Sequence, residues 1–283
     1  MNIGFVGGDL RQLTLMSCFR HSGHNVKIYG YDGVEESVDS FDEIKQSDVI
    51  IFPLPTCSGE CVYAPNTEEK IHISDLDLKG CKLIFYAGGN ELMNSKLISS
   101  GALCINYLND EELAQKNAIA TAEGTVELAI NETANTIFGS KVIITGFGKV
   151  AKAVAKLFSA MGAEVTVAAR RREALAEAYC EGYRIVFLDK LADVIENYEI
   201  IINTVPALII NNSVLKKVDK NALIIDLASK PGGVDFIAAK GFNKRVIWAL
   251  SLPGKVAPVT SGKIIFETIC AILDERVVDD DET

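Results

Sequence analysis

One stretch limits the fold more than any other: KVIITGFGKVAKAVAKLFSAMGAEVTVAARRR, residues 141–172. An apolar, β-branched run (141–145) meets Gly146-Phe147-Gly148-Lys149-Val150-Ala151. Apolar residues then recur at helical spacing over 149–161, and a second apolar run follows at 164–168. Strand, G-x-G-x-x-A, helix and strand at these distances predict a dinucleotide-binding βαβ unit. Each position has a physical task. Gly146 permits the tight turn, Gly148 lets the backbone approach a pyrophosphate, and Ala151 keeps the helix close to the strand. The helix start supplies N–H groups and the positive end of a dipole for phosphate. The bland alternative is a Rossmann-type domain that uses these glycines for packing alone.

The end of the second strand speaks to the kind of dinucleotide. NAD-preferring sites place an acid there to accept from the ribose 2′-hydroxyl. Here the position falls near the neutral Ala169, and Arg170, Arg171 and Arg172 follow. A small uncharged residue removes repulsion, and arginines can fork onto a 2′-phosphate. The expectation is NADP, with NAD still open; the competing reading has these arginines capping a helix or standing in water. Thr204-Val205-Pro206 ends a later strand, where a loop beside the nicotinamide is expected.

The remaining pattern repeats the theme. Strand-length runs rich in Val, Ile, Tyr and Phe lie at 2–7, 25–29, 48–53, 82–87 and 102–107, with a helical segment at 10–22. Five such runs suggest a flavodoxin-like open parallel sheet. A second series of six lies at 141–145, 164–168, 184–188, 200–204, 223–226 and 245–249. Between them, residues 110–138 have helical spacing, read as one or two helices with Gly124 as an interruption. The predicted architecture is α/β: two doubly wound parallel-sheet domains with an interdomain cleft. Residues 1–120 form a flavodoxin-like substrate domain and 121–262 an NAD(P)-binding Rossmann domain. Residues 263–283 form a helix that could return to the first domain, then an acidic tail, Asp279-Asp280-Asp281-Glu282, expected to be solvated. A chain of 283 residues is ordinary for two domains.

Composition removes several classes of function. The net charge is −10, which disfavours generic binding to nucleic acid or an anionic membrane. No apolar run approaches the roughly 18–20 residues that span a bilayer. The first residues, MNIGFVGGDL, lack the cationic start and apolar core of a secretion signal. Seven cysteines with no C-x-x-C spacing read as reduced thiols in a cytoplasmic protein, and no metal is expected.

The three histidines, His21, His24 and His72, all lie in the first 72 residues. That placement argues against a 2-hydroxyacid dehydrogenase, which needs a catalytic histidine near its cofactor, and against serine or cysteine hydrolases. Hydride transfer that does not lean on histidine remains.

Four segments then carry a resemblance. Val6-Gly7-Gly8-Asp9-Leu10-Arg11-Gln12, Thr121-Ala122-Glu123-Gly124-Thr125, Asp226-Leu227-Ala228-Ser229-Lys230-Pro231-Gly232-Gly233 and Leu252-Pro253-Gly254-Lys255-Val256-Ala257-Pro258 together resemble the A subunit of dipicolinate synthase. The likeness runs over nearly the whole chain, from about residue 2 to residue 275. Lys230 stands where arginine is expected in that family, which keeps the charge and loses a fork.

The resemblance implies NAD(P)-dependent oxidation of dihydrodipicolinate, or its hydrated precursor, to dipicolinate during sporulation, in the mother-cell cytoplasm of a spore-forming bacterium. It implies the flavoprotein-like B subunit of dipicolinate synthase as partner, and a homo-oligomer is also allowed. A substrate with two carboxylates needs cations in so acidic a chain. Arg11, Lys230 and Lys255 are the candidates, with Thr56, Ser58 and Thr125 as hydrogen-bond donors. Glu123 and Lys255 are the candidate catalytic groups. Each has a bland alternative: a surface arginine, a structural loop lysine, a helix-terminus carboxylate. Two other readings stand beside this one: another NADP-linked two-domain dehydrogenase, and a non-catalytic NADP-binding regulatory protein.

Overall fold

The computed structural model describes residues 1–281, with side chains through residue 275. Two compact units emerge: Met1–Lys116 with the chain from Ala257 onward, and Asn117–Val256. The acidic tail expected to be solvated lies outside the residues whose side chains are described.

The first unit begins with β1 (Asn2–Val6), α1 (Leu10–His21), β2 (Asn25–Tyr29), β3 (Ser37–Val38) and β4 (Val49–Ile51). A hairpin follows, β5 (Cys57–Ser58) and β6 (Cys61–Val62), then β7 (Leu83–Tyr86), α2 (Glu91–Ser100) and β8 (Leu103–Asn106). Its main sheet is parallel, in the order β3-β2-β1-β4-β7-β8. Without the two-residue edge strand β3 this is the flavodoxin-like order. β3 and the hairpin are too short to register as periodic runs, which is why the sequence pattern passes over them.

α3 (Glu111–Glu132) is one continuous helix, so Gly124 does not interrupt it. A Cβ at Gly124 would lie 3.1 Å from Leu252 Cβ and 3.2 Å from Val256 Cγ1. The glycine serves close packing there, at the roughly 1 kcal/mol that a glycine costs inside a helix.

The second unit continues with β9 (Lys141–Thr145), α4 (Lys149–Ala160), β10 (Glu164–Ala169), α5 (Arg172–Cys180), β11 (Arg184–Phe187) and α6 (Leu191–Val194). Then come β12 (Ile200–Asn203), α7 (Asn212–Leu215), β13 (Leu223–Asp226), α8 (Phe236–Gly241), β14 (Arg245–Trp248) and α9 (Leu252–Val256). The sheet is parallel, in the order β11-β10-β9-β12-β13-β14, the doubly wound dinucleotide-binding order. Its central strands carry Val142, Ile143, Ile144, Ile201, Ile202, Ile224 and Ile225, all fully buried. Unbroken apolar runs are what a parallel sheet covered on both faces requires.

α10 (Pro258–Asp281) belongs to the first unit and packs on α1. Ile264, Ile265 and Ile269 join the core of Ile3, Phe5 and Leu15, and Phe266 meets Phe19 edge-on at 4.8 Å. A Cβ at Gly262 would stand 2.6 Å from the Arg11 carbonyl oxygen, so this glycine sets how closely the two helices approach.

Candidate functional site

In the second unit the chemistry gathers at the C-terminal ends of the strands, where open α/β sheets bind ligands. β9 runs into Gly146, whose φ is +90°. A Cβ there would sit 2.6 Å from Thr204 Oγ1 and 2.9 Å from Val205 Cγ2, so both backbone and space demand glycine. Gly148 differs. It is the N-cap of α4, makes no side-chain cap, and an added Cβ would meet nothing within 4 Å. The face beside it is open, next to a helix start whose N–H groups attract anions. Ala151 is fully buried against the sheet core, as close helix–strand packing requires.

The other expected cofactor residues divide. The Phe147 ring is turned into the core, edge-on to Tyr183 at 6.1 Å, so its backbone alone faces the loop. Val150 packs partly against the same core, and Lys149 is half-exposed. Ala169 ends β10 buried and uncharged, with Arg170 and Arg171 exposed beyond it. Arg171 occupies the N-cap of α5 without capping it through its side chain. The Thr204 hydroxyl donates to the Thr145 carbonyl oxygen at 2.8 Å, Val205 is half-buried and Pro206 is exposed.

A buried polar network behind these loops was not legible in the sequence. Thr145, Asn203 and Asp226 end three adjacent strands in register, and all three are fully enclosed. Thr145 Oγ1 donates to Asn203 Oδ1 at 2.5 Å, and Asn203 Nδ2 donates to Asp226 Oδ1 at 2.7 Å. Asp226 also accepts the backbone N–H groups of Ala228 (3.1 Å) and Gly233 (2.8 Å). The network fixes the 226–233 loop to the sheet. It also explains Gly232-Gly233: a Cβ at Gly233 would fall 2.1 Å from Asn203 Nδ2. Lys230 stands exposed at the tip of that loop, and Lys255 is exposed on α9.

On α3, Glu123 is exposed. Thr125 is not available as expected. It is fully buried, and its hydroxyl donates to the Thr121 carbonyl oxygen at 2.7 Å. Thr56, in the first unit, is also fully enclosed. Its Oγ1 accepts the Ala87 N–H at 2.7 Å, clasping the loops after β4 and β7 together. Both threonines hold backbone in place, while Ser58 is exposed on the β5–β6 hairpin.

At the end of β1, Arg11 is not the free surface cation of the bland reading. Its side chain is 5% exposed and is held by Asp9 through Nε (2.9 Å) and Nη2 (2.7 Å). Nη2 also donates to the Leu54 carbonyl oxygen. Asp9 caps α1 as well, accepting the Arg11 N–H at 3.0 Å, and the Tyr63 hydroxyl lies 3.4 Å from Asp9 Oδ2. Burial and Asp9 push the Tyr63 phenol up, opposed by Arg11, so Tyr63 stays a donor. Tyr63 had no periodic or motif signal.

A cavity of about 610 Å³ in the second unit, lined by Glu132, Ser140, Glu199, Asn221 and Arg245, lies at the opposite, N-terminal ends of the strands. Geometry places the phosphate-type chemistry away from it. Among the described residues no cluster of three or more His, Cys, Asp or Glu could hold a metal, and no helix is long and apolar enough to cross a membrane.

Comparison with known proteins follows the same division. Residues 2–105 match the family model for the N-terminal domain of the dipicolinate synthase A subunit. Residues 112–231 match the NAD-binding domain of D-isomer specific 2-hydroxyacid dehydrogenases. The dipicolinate synthase A subunit of Bacillus subtilis (strain 168) is 32% identical over 97% of this chain and 96% of its own. The crystal structure of that Bacillus subtilis protein superposes with a TM-score of 0.87 at 32% identity, covering 99% of this chain and 97% of the other. The Bacillus halodurans counterpart gives 0.87 at 29% identity, covering 96% and 97%. The nucleotide loop thus sits in a dehydrogenase-type, nicotinamide-binding domain, and the chain belongs to the family of dipicolinate synthase A subunits.

Proposed function

We propose that this chain oxidises dihydrodipicolinate, or its hydrated precursor, to dipicolinate. The observation that carries the reading is the strand–Gly146–helix unit, with its glycine-only turn and uncapped helix start, in a chain matched along its length by the A subunit of dipicolinate synthase. A bound nicotinamide supplies the hydride acceptor. The backbone of 146–150 would hold the pyrophosphate, and Thr204-Val205-Pro206 would border the nicotinamide side. Arg170 and Arg171 take a 2′-phosphate, so NADP is favoured over NAD.

Dihydrodipicolinate loses a hydride to the nicotinamide and a proton to a base and becomes aromatic, so the step is strongly downhill; the hydrated precursor must first lose water. The step asks the protein for orientation and a weak base more than for a tuned histidine. In a chain of net charge −10 a substrate with two carboxylates calls for cations and donors: the exposed Lys230 and Lys255 are the candidates in the second unit, and Asp9-held Arg11 and Ser58 are the candidate donors in the first. Glu123 is the proposed proton acceptor. The first unit serves the substrate and the second the cofactor. The relatives are named as one lettered component of a synthase, which supports a second polypeptide as partner, and we place the work in the mother-cell cytoplasm.

The test supplies freshly made hydroxytetrahydrodipicolinate with NADP or NAD to the purified chain, with and without the partner protein. Equal amounts of dipicolinate and reduced nicotinamide are the expected result. Tight NADP binding with neither product formed would overturn the assignment.

A further inference from the structure

The glycine pair at the end of β1 has a purpose that its spacing does not explain. Gly7 and Gly8 both have positive φ, +54° and +99°. A Cβ on Gly7 would lie 2.8 Å from the Tyr63 carbonyl oxygen and 2.9 Å from Ala64 Cβ. The Gly8 N–H donates to that same Tyr63 carbonyl at 2.7 Å, and Asn66 Nδ2 returns to the Gly8 carbonyl at 3.3 Å. The pair seats the 62–66 segment against the loop and so brings the Tyr63 phenol beside Asp9 and Arg11.

Donors are left over in this cluster. Arg11 spends Nε and Nη2 on Asp9 and Leu54, and its guanidinium also lies against the Tyr63 hydroxyl, so the two side chains stand together as neighbouring donors. The Tyr63 hydroxyl is poorly used: its 3.4 Å reach to Asp9 is far beyond the usual O–H···O distance of about 2.7–2.8 Å. Tyr107 backs the group, fully buried, with its own hydroxyl given to the Phe52 carbonyl oxygen at 3.1 Å.

We propose that Arg11 Nη1 and the Tyr63 hydroxyl form one carboxylate-binding subsite of the substrate, with Asp9 as the residue that positions the guanidinium. This rests on the dicarboxylate reading given above. Two donors from two side chains suit the two oxygens of a planar carboxylate. Because Asp9 already balances the Arg11 charge, the subsite recognises a carboxylate by hydrogen bonds and not by net charge, and a dianionic phosphate meets more repulsion from Asp9 than a monoanionic carboxylate does. The bidentate lock on Asp9 holds the fork before the ligand arrives, so little rotamer freedom is lost on binding.

The test titrates the full-length chain with pyridine-2,6-dicarboxylate by calorimetry, in wild type, Tyr63→Phe and Arg11→Lys. Tyr63→Phe removes one weakly used hydroxyl and is the milder change; Arg11→Lys keeps the charge and loses the fork. Each should raise the dicarboxylate Kd about tenfold or more, as expected for losing a hydrogen bond to a charged group. In Tyr63→Phe, cofactor Kd and Tm should stay at wild-type values. Wild-type dicarboxylate affinity in both variants would overturn the subsite alone. So would a loss in Tyr63→Phe that travels with lower Tm and weaker cofactor binding, because that marks a structural role. A wild-type chain that neither binds nor forms the dicarboxylate would overturn the underlying reading, and the subsite with it.

Discussion

Gly148→Ala separates the nucleotide site from the fold. The backbone at Gly148 has φ −91° and ψ −169°, an extended conformation open to any residue, and an added Cβ meets no protein atom within 4 Å. Two small stability terms oppose each other. Replacing glycine by alanine restricts the unfolded chain and stabilises by about 0.4–1 kcal/mol. Alanine is a poorer N-cap than glycine, which costs roughly 0.5–1 kcal/mol. Their sum is near zero, so Tm should move by no more than about 2–4 °C.

Binding should respond quite differently. A methyl group on the face where a pyrophosphate approaches the backbone displaces at least one charge-assisted hydrogen bond. Such a bond is worth about 1.5–3 kcal/mol, or roughly ten- to a hundredfold in Kd. Fluorescence titration with reduced cofactor and a thermal melt on the same sample read both quantities. Cofactor affinity within twofold of wild type would refute the passage of the pyrophosphate over Gly148. A fall in Tm of about 8 °C or more would refute the open space beside it.

Three further outcomes follow from the geometry. Asp226→Ala leaves one of the two Asn203 amide hydrogens, the other going to the Val205 carbonyl oxygen, and the Ala228 and Gly233 N–H groups buried without their acceptor. A loss of about 3–5 kcal/mol and a Tm lower by on the order of 10 °C are expected in a thermal melt. Replacing Arg170 and Arg171 together by alanine should weaken NADPH about tenfold or more and leave NADH within about twofold, checked by paired titrations. Burial pushes the Tyr107 phenol well above its ordinary value of 10.0. The folded state therefore favours the neutral phenol: its contribution is complete below pH 10 and is lost as pH rises above it. In urea titrations across alkaline pH, Tyr107→Phe should lose about 1 kcal/mol at neutral pH and show a shallower alkaline decline than wild type.

How much of this was legible before the structure depends on the length of the signal. β9, β10, β12 and β13 are apolar runs buried on both faces, and a period of that kind survives any context. The strand–turn–helix unit around Gly146, Gly148 and Ala151 was legible because these residues act locally, between elements that adjoin in sequence. Gly124 misled, because a helix-breaking propensity of about 1 kcal/mol yields to packing against Leu252 and Val256, more than a hundred residues away. Thr56 and Thr125 misled for a related reason: a hydroxyl in the sequence does not reveal whether backbone has already claimed it. Asn203, Asp226 and Tyr63 carry no spacing signal. They become partners once the strand order and the turn at Gly7-Gly8 bring distant segments together.

In the function proposed above, this chain carries hydride from the dihydropyridine ring to a nicotinamide. The direct measurement uses substrate deuterated at its saturated ring carbons, turned over by the chain with its partner protein, followed by mass spectrometry of the recovered cofactor. One deuterium per reduced nicotinamide, equal in amount to the dipicolinate formed, is the predicted result. Dipicolinate formed while the cofactor stays oxidised, or is reduced without deuterium, would contradict it.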